Sequence, residues 1–266
     1  MTPDPLRVAV WQCRSHPLDV EGNLERLAAV CRQLAGRADV VVTPEMFVTG
    51  YDIPLDDVRR LAEAAHGIIA RTVTEISRQS GVAVAYGYPE LDGELIYNAA
   101  QLVEAGERLA NHRKLHLFTG LDSARFAPGD RCPEVVELRG HRVAMLICYD
   151  VEFPEAVRAA ASGGAEAVLV PTANMVGYEA VSTVLVPARA YENGCYVAYA
   201  NYCGTEGGQT YAGLSTVAGP DGAALALAGD DEGVEIVSLH VGDVVAPDYL
   251  ADRRIDLFGD GHGRDS

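Results

Sequence analysis

The stretch Val143–Glu155, VAMLICYDVEFPE, decides how the chain is read. Five apolar residues run into Cys148, and Phe153-Pro154-Glu155 opens a helical pattern. The run reads as a buried strand ending in a tight turn, with a helix starting near Pro154, a residue suited to the first helical position. A thiol at such a junction faces backbone N–H groups and the positive end of a helix. Both favour thiolate over thiol, so a nucleophile is expected at Cys148. The other reading is a buried, inert cysteine, since Cys is among the most buried residue types.

Working outward, strands are expected at Arg7–Gln12, Asp39–Thr43, Val82–Tyr86, Ala167–Pro171, Tyr196–Asn201 and Val234–Leu239. Helical spacing marks Val20–Leu34, Val58–Ser80, Glu155–Ala161 and Ser182–Glu192. Three hairpins are expected: around Ala105-Gly106, around Arg139-Gly140, and around Pro220-Asp221-Gly222. Alternating strands and helices with inserted hairpins imply mixed sheets covered by helices, a layered α/β architecture. No Pro/Ser/Gly linker divides residues 1–266, so one domain is expected, with 243–266 as an aperiodic tail.

A chain of 266 residues with 48% hydrophobic and 22% charged content suits a globular protein with a large core. The net charge of −17 argues against a nucleic-acid partner, which needs clustered Lys and Arg. The six cysteines form no CxxC and suggest no disulfide framework. No apolar run is long enough for a membrane span, and no signal-peptide pattern opens the chain. A reduced, cytoplasmic protein is expected.

Three ionisable residues stand at strand ends: Glu45 in TPEMFVTGY, Lys114 in HRKLHLF, and Cys148. Strand ends gathered at one sheet edge are where α/β proteins place chemistry. A carboxylate can take a thiol's proton, and an ammonium lowers the thiol pKa and holds a developing oxyanion. The set suits acyl transfer through a thioester. Taken singly, Glu45 also fits a helix N-terminal carboxylate and Lys114 a surface charge.

These stretches, with FAPGD (126–130), VPTAN (170–174), ARAYENGCYVAYAN (188–201) and GLSTVAGPDG (213–222), resemble the nitrilase, or carbon–nitrogen hydrolase, superfamily along nearly the whole chain. The resemblance implies a four-layer αββα sandwich that usually forms a homodimer, no cofactor, no metal, and a small-molecule amide substrate. It implies a triad of Glu45 as general base, Cys148 as nucleophile, and Lys114 as oxyanion partner together with the Tyr149 N–H. Many members carry a second glutamate shortly before the FAPGD-type stretch; here that position holds Asp122, shorter by one methylene, which either fills the role or caps a loop.

Superfamily members that bind a substrate carboxylate tend to place arginine shortly after the cysteine. Here Glu152 stands there, and a carboxylate in a pocket wants a cation. A substrate with an amide at one end and an amine or guanidine at the other is therefore expected; alternatively, Glu152 caps the following helix. PEMFVTGYDI, CYDVEFPE and VAYANYCG resemble the 5-aminopentanamidase branch, with 4-guanidinobutanamide as a related substrate. Tyr51, Tyr149, Asn174, Tyr178 and Glu179 are further pocket candidates. The rivals are a general aliphatic amidase, an N-carbamoyl hydrolase, a nitrilase, or a non-catalytic binding homologue. His112 and His116 lack a zinc-type context, and no GxSxG or GxGxxG occurs in a suitable place. A papain-type Cys/His pair would leave Glu45 and Lys114 unexplained.

Overall fold

The computed structural model describes residues 4–242 and 248–258. The first part runs β1 (Leu6–Arg14), α1 (Val20–Leu34), β2 (Val40–Val42), α2 (Leu55–Leu61), α3 (Ile68–Ser80), β3 (Ala83–Asp92), β4 (Leu95–Glu104) and β5 (Glu107–Arg113). After β6 (Val135–Leu138) and β7 (His141–Met145) come a 3-10 turn over Cys148–Glu152, α4 (Pro154–Ser162) and β8 (Ala167–Pro171). A π-helical turn over Val181–Leu185 leads into α5 (Val186–Asn193), then β9 (Tyr196–Ala200), β10 (Tyr202–Glu206) and β11 (Gln209–Ala212). The chain continues through β12 (Thr216–Ala218), β13 (Ala224–Leu227), β14 (Gly233–Leu239) and α6 (Ile255–Phe258).

One sheet has the order β11-β10-β1-β2-β3-β4-β5, with β14 also paired to β1; the other has the order β13-β12-β9-β8-β7-β6. Each has a parallel centre, β1-β2-β3 and β7-β8-β9, widened by antiparallel strands. Central strands are buried on both faces, so they read as apolar runs rather than alternating ones. Val8, Val10, Val40 and Val42 pack across the sandwich with Met145, Leu169 and Ala198. The residues between them turn outward: Ala9, Trp11 and Val41 meet Leu27 and Cys31 of α1 and Val73 of α3. On the far side, Ala144, Val168 and Val197 meet Val157 of α4 and Ala190 of α5. The layers are therefore αββα, as the resemblance implied.

Four expectations are corrected. Val58–Ser80 is two helices, because Ala62–Gly67 leaves the helix to let Glu63 bridge to Glu90 beside β3. The Glu63 carboxylate then accepts the Ile69 N–H at 2.9 Å, serving the start of α3. The Ser182–Glu192 helix is wound wide in its first turn, ahead of Pro187, which can give no N–H and crowds the preceding turn. The strand expected to reach Cys148 stops at Met145. The hairpin β10–β11 was not expected, although Gly207-Gly208 between Glu206 and Gln209 is a two-residue turn signal. Of the expected tail, 243–247 and 259–266 lie outside the described residues; 248–258 includes the short helix α6. Among the described residues no helix is long and apolar enough to cross a membrane, and all six cysteines are free.

Gly87 on β3 shows how closely the site loop lies on the sheet. A Cβ there would stand 2.3 Å from the Met46 nitrogen and 3.0 Å from the Glu45 carbonyl carbon. Gly87→Ala is expected to cost about 1–3 kcal/mol of stability by overpacking, measured by urea unfolding. An unchanged midpoint would show that the Glu45–Met46 chain moves aside freely.

Candidate active site

Glu45 follows β2, and its N–H donates to the Thr172 carbonyl beyond β8 at 3.1 Å, joining the two sheets beside the site. Its side chain is fully buried. Oε1 accepts from Asn98 Nδ2 on β4 at 2.6 Å and from Lys114 Nζ at 2.7 Å. Oε2 has no hydrogen-bond partner among the described residues. Lys114 lies just beyond β5, and its Nζ also donates to Asp122 Oδ2 at 2.5 Å. That oxygen accepts the Phe118 N–H at 3.0 Å, so the shorter side chain reaches the lysine from a folded-back loop. Gly129 of the FAPGD stretch supports the lysine from behind. Its N–H donates to the Lys114 carbonyl at 2.8 Å, and a Cβ there would meet the Arg113 oxygen at 2.4 Å.

Cys148 opens the 3-10 turn with φ +45°, a left-handed conformation uncommon for a residue with a side chain. Two residues on, the buried Asp150 carboxylate ties this turn to the lysine loop. Oδ1 accepts the N–H groups of Leu115 (3.1 Å) and His116 (2.8 Å) and His116 Nδ1 (3.0 Å). Oδ2 accepts the Ile147 N–H at 3.2 Å and lies 3.4 Å from His112 Nε2. The two histidines around Lys114 thus serve a carboxylate, and among the described residues no cluster of three or more potential ligands could hold a metal ion. Asn98 and Asp150 were missed in the sequence; the Asp150 signal was its place two residues after the cysteine, opposite paired histidines.

Burial and the nearby Asp122 raise the Glu45 pKa, against the lowering effect of Lys114. Burial by itself would lower the lysine, but Glu45, Tyr51 and Asp122 outweigh it and hold the ammonium well above its usual range. Burial and Glu45 push the Cys148 thiol up, against the lowering effects of Lys114, Thr172 and the Ala173 backbone. The helix α4 begins at Pro154, as expected, with the 3-10 turn over Cys148–Glu152 between it and the strand.

Cys148 opens onto a cavity of about 20 Å³, space for about one water. Tyr51, Tyr149, Glu152, Asn174 and Tyr178 line it with Phe118, Ala173 and Met175. Phe118 meets both Tyr149 and Tyr178 edge-on, so part of the lining is a set of packed aromatic rings. Asn174 Nδ2 donates to the Tyr178 carbonyl at 3.0 Å, so it shapes the rim. Glu179 is not part of the lining; its carboxylate accepts the Gly177 N–H at 2.9 Å. Glu152 is half-buried, and burial raises its pKa against the opposing charges of Lys114 and Arg189. No hydrogen bond reaches its carboxylate among the described residues, and α4 has no side-chain cap. Arg189 instead donates to the Val151 and Glu152 carbonyls at 3.0 and 2.7 Å. Two larger clefts, of about 460 Å³ beside Arg7, Asp39 and Arg139 and about 480 Å³ beside Tyr97, Arg113 and Cys132, are lined by none of Glu45, Lys114 and Cys148.

Hydrogen bonds from the two histidines and the His116 backbone hold the Asp150 pKa at about 2, despite burial. A depressed carboxylate adds stability that is full above its unfolded pKa of about 3.9 and is lost as pH falls through the folded value. Asp150→Asn is therefore expected to flatten the acid dependence of the urea midpoint between about pH 4 and pH 2. An unaltered dependence would assign it to other carboxylates.

The carbon–nitrogen hydrolase family profile matches residues 7–246. The "hydrolase in pqqF 5'region" of Pseudomonas protegens is 50% identical over 96% of this chain and 91% of that protein. An (R)-stereoselective amidase of a Pseudomonas species is 35% identical over 96% of this chain and 94% of its own length. A mutant of the Nesterenkonia AN1 amidase from the nitrilase superfamily superposes with a TM-score of 0.88 at 37% identity, covering 96% of this chain and 97% of that one. That amidase has also been solved in complex with acrylamide and with butyramide, and with the acetamide moiety of fluoroacetamide covalently added at its active-site cysteine. The matched profile, the relatives and the shared αββα layers place this chain in the carbon–nitrogen hydrolase family of the nitrilase superfamily, an enzyme that hydrolyses carbon–nitrogen bonds.

Proposed function

We propose that the chain hydrolyses linear primary amides carrying a distal cation, of the 5-aminopentanamide or 4-guanidinobutanamide type, to a carboxylate and ammonia. The observation that carries this reading is one cavity wall holding both Cys148 and the unpartnered carboxylate of Glu152. A half-buried carboxylate with no hydrogen-bond partner among the described residues favours a cation, and a charge-assisted hydrogen bond there contributes about 1.5–3 kcal/mol.

In this reading Cys148 Sγ attacks the amide carbon as its proton passes to Glu45. Lys114 and the Tyr149 N–H, among the first donors of the 3-10 turn, hold the oxyanion. Glu45 returns the proton to the leaving nitrogen, and ammonia departs. Water then attacks the thioester with Glu45 again as base, releasing the acid and the thiol. Asp122 keeps the Lys114 ammonium charged and aimed.

A second reading, a short neutral amide, is favoured by the small cavity and by the acrylamide and butyramide complexes of the Nesterenkonia amidase. A five-carbon chain needs more room than the cavity of about 20 Å³ offers.

Ammonia release from 5-aminopentanamide, 4-guanidinobutanamide, pentanamide and butyramide separates the two. Cys148→Ala is expected to abolish turnover of all four while the fold persists; retained release would overturn the thioester route. Glu152→Gln is expected to lower kcat/KM for the cationic amides by about 10–100-fold and leave pentanamide within about threefold. Equal losses on both classes would make Glu152 structural and favour the neutral-amide reading.

A further inference from the structure

Cys148 and Lys114 come from opposite sheets of the sandwich: the cysteine turn follows β7, and the lysine loop follows β5. Nothing in either sheet's register fixes the distance between them. Asp150 is fully buried and bonds both segments with the same carboxylate: Ile147 N–H on the cysteine side, Leu115 and His116 N–H on the lysine side. The Asp150 N–H in turn donates to the Ile147 carbonyl at 3.0 Å, closing a ring around Cys148. Holding a non-glycine residue at φ +45° costs about 1–3 kcal/mol. Such a conformation persists only where its surroundings over-determine it, and here this ring does so. The His116 ring is also stacked on Phe153 at 3.8 Å between centroids, so the same residue grips the far end of the 3-10 turn.

We propose that Asp150 is a positioning residue: by holding the turn of Cys148 and the loop of Lys114 together, it sets the separation of thiol and ammonium during turnover. The inference rests on the triad reading above. It makes the spacing of nucleophile and oxyanion partner the property of one side chain that contacts neither substrate nor reacting atom. Loosening it leaves amide binding in place and weakens the attack.

The test compares Asp150→Asn and His116→Ala with the wild type in steady-state ammonia release, counted per folded molecule from circular dichroism and urea unfolding. Asn keeps the volume but turns a donor toward donors; Ala removes one ring donor and leaves both backbone donors in place. Misplacement of a reacting group by about 1 Å costs on the order of 10²-fold. Asp150→Asn is therefore expected to lose about 10²-fold in kcat with KM within about twofold, and His116→Ala about tenfold. A purely structural role would lower the unfolding midpoint while kcat per folded molecule stayed at the wild-type value. That result in folded Asp150→Asn, or in His116→Ala should the first variant not fold, overturns the proposal. Retained turnover in Cys148→Ala would instead overturn the triad reading, so the two failures are distinct.

Discussion

Lys114 is an ammonium with no access to water, and a buried charge persists only where opposite charge and hydrogen bonds meet it. Glu45 and Asp122 do so from different parts of the chain, one after β2 and one from the loop beyond β5. Much of the site's architecture follows from satisfying that one charge. Asn98 is placed to share Glu45, Gly129 to lie on the lysine backbone, and Gly87 to let the glutamate loop approach β3. Burial, with the second carboxylate Asp122 beside it, raises the Glu45 pKa although it is ion-paired to Lys114.

Burial and the adjacent glutamate raise the Cys148 thiol, while Lys114, Thr172 and the Ala173 backbone oppose them. Glu45 Oε2 has no hydrogen-bond partner among the described residues, so a Glu45 acting as proton acceptor has an open oxygen to use.

Much of this was legible in the sequence, for identifiable reasons. Parallel central strands must be apolar on both faces, so Val40–Val42 and Ala167–Pro171 announced themselves. Glu45 and Cys148 were visible because each follows such a run, and Lys114 because it follows the second strand of a hairpin. What escaped depended on partners distant in sequence. Ala62–Gly67 keeps helical spacing, and only the pairing of Glu63 with β3 pulls it out of the helix. Around Cys148 the tight turn and the helix start at Pro154 were both legible, and what escaped was the burial that, with the carboxylate beside the thiol, raises it. Asn98 and Asp150 are ordinary polar residues until the fold brings Glu45 to one and His116 to the other. The β10–β11 turn was signalled by Gly207-Gly208 and simply went unread.

The depths of the charged groups differ in a way that separates two properties of the enzyme. The Glu45, Lys114 and Asp122 side chains are wholly enclosed, whereas Glu152 is partly open to solvent at the cavity wall. Dissolved ions weaken interactions between exposed charges within a Debye length of about 8 Å at physiological ionic strength, but reach enclosed pairs far less. In the proposed reading, ionic strength therefore acts on recognition at Glu152 and spares the enclosed triad. Were Glu152 to choose among amides by charge, that choice would fade in a salt-rich medium while the buried ion pairs kept their strength, so selectivity would belong to the surroundings as well as to the residues.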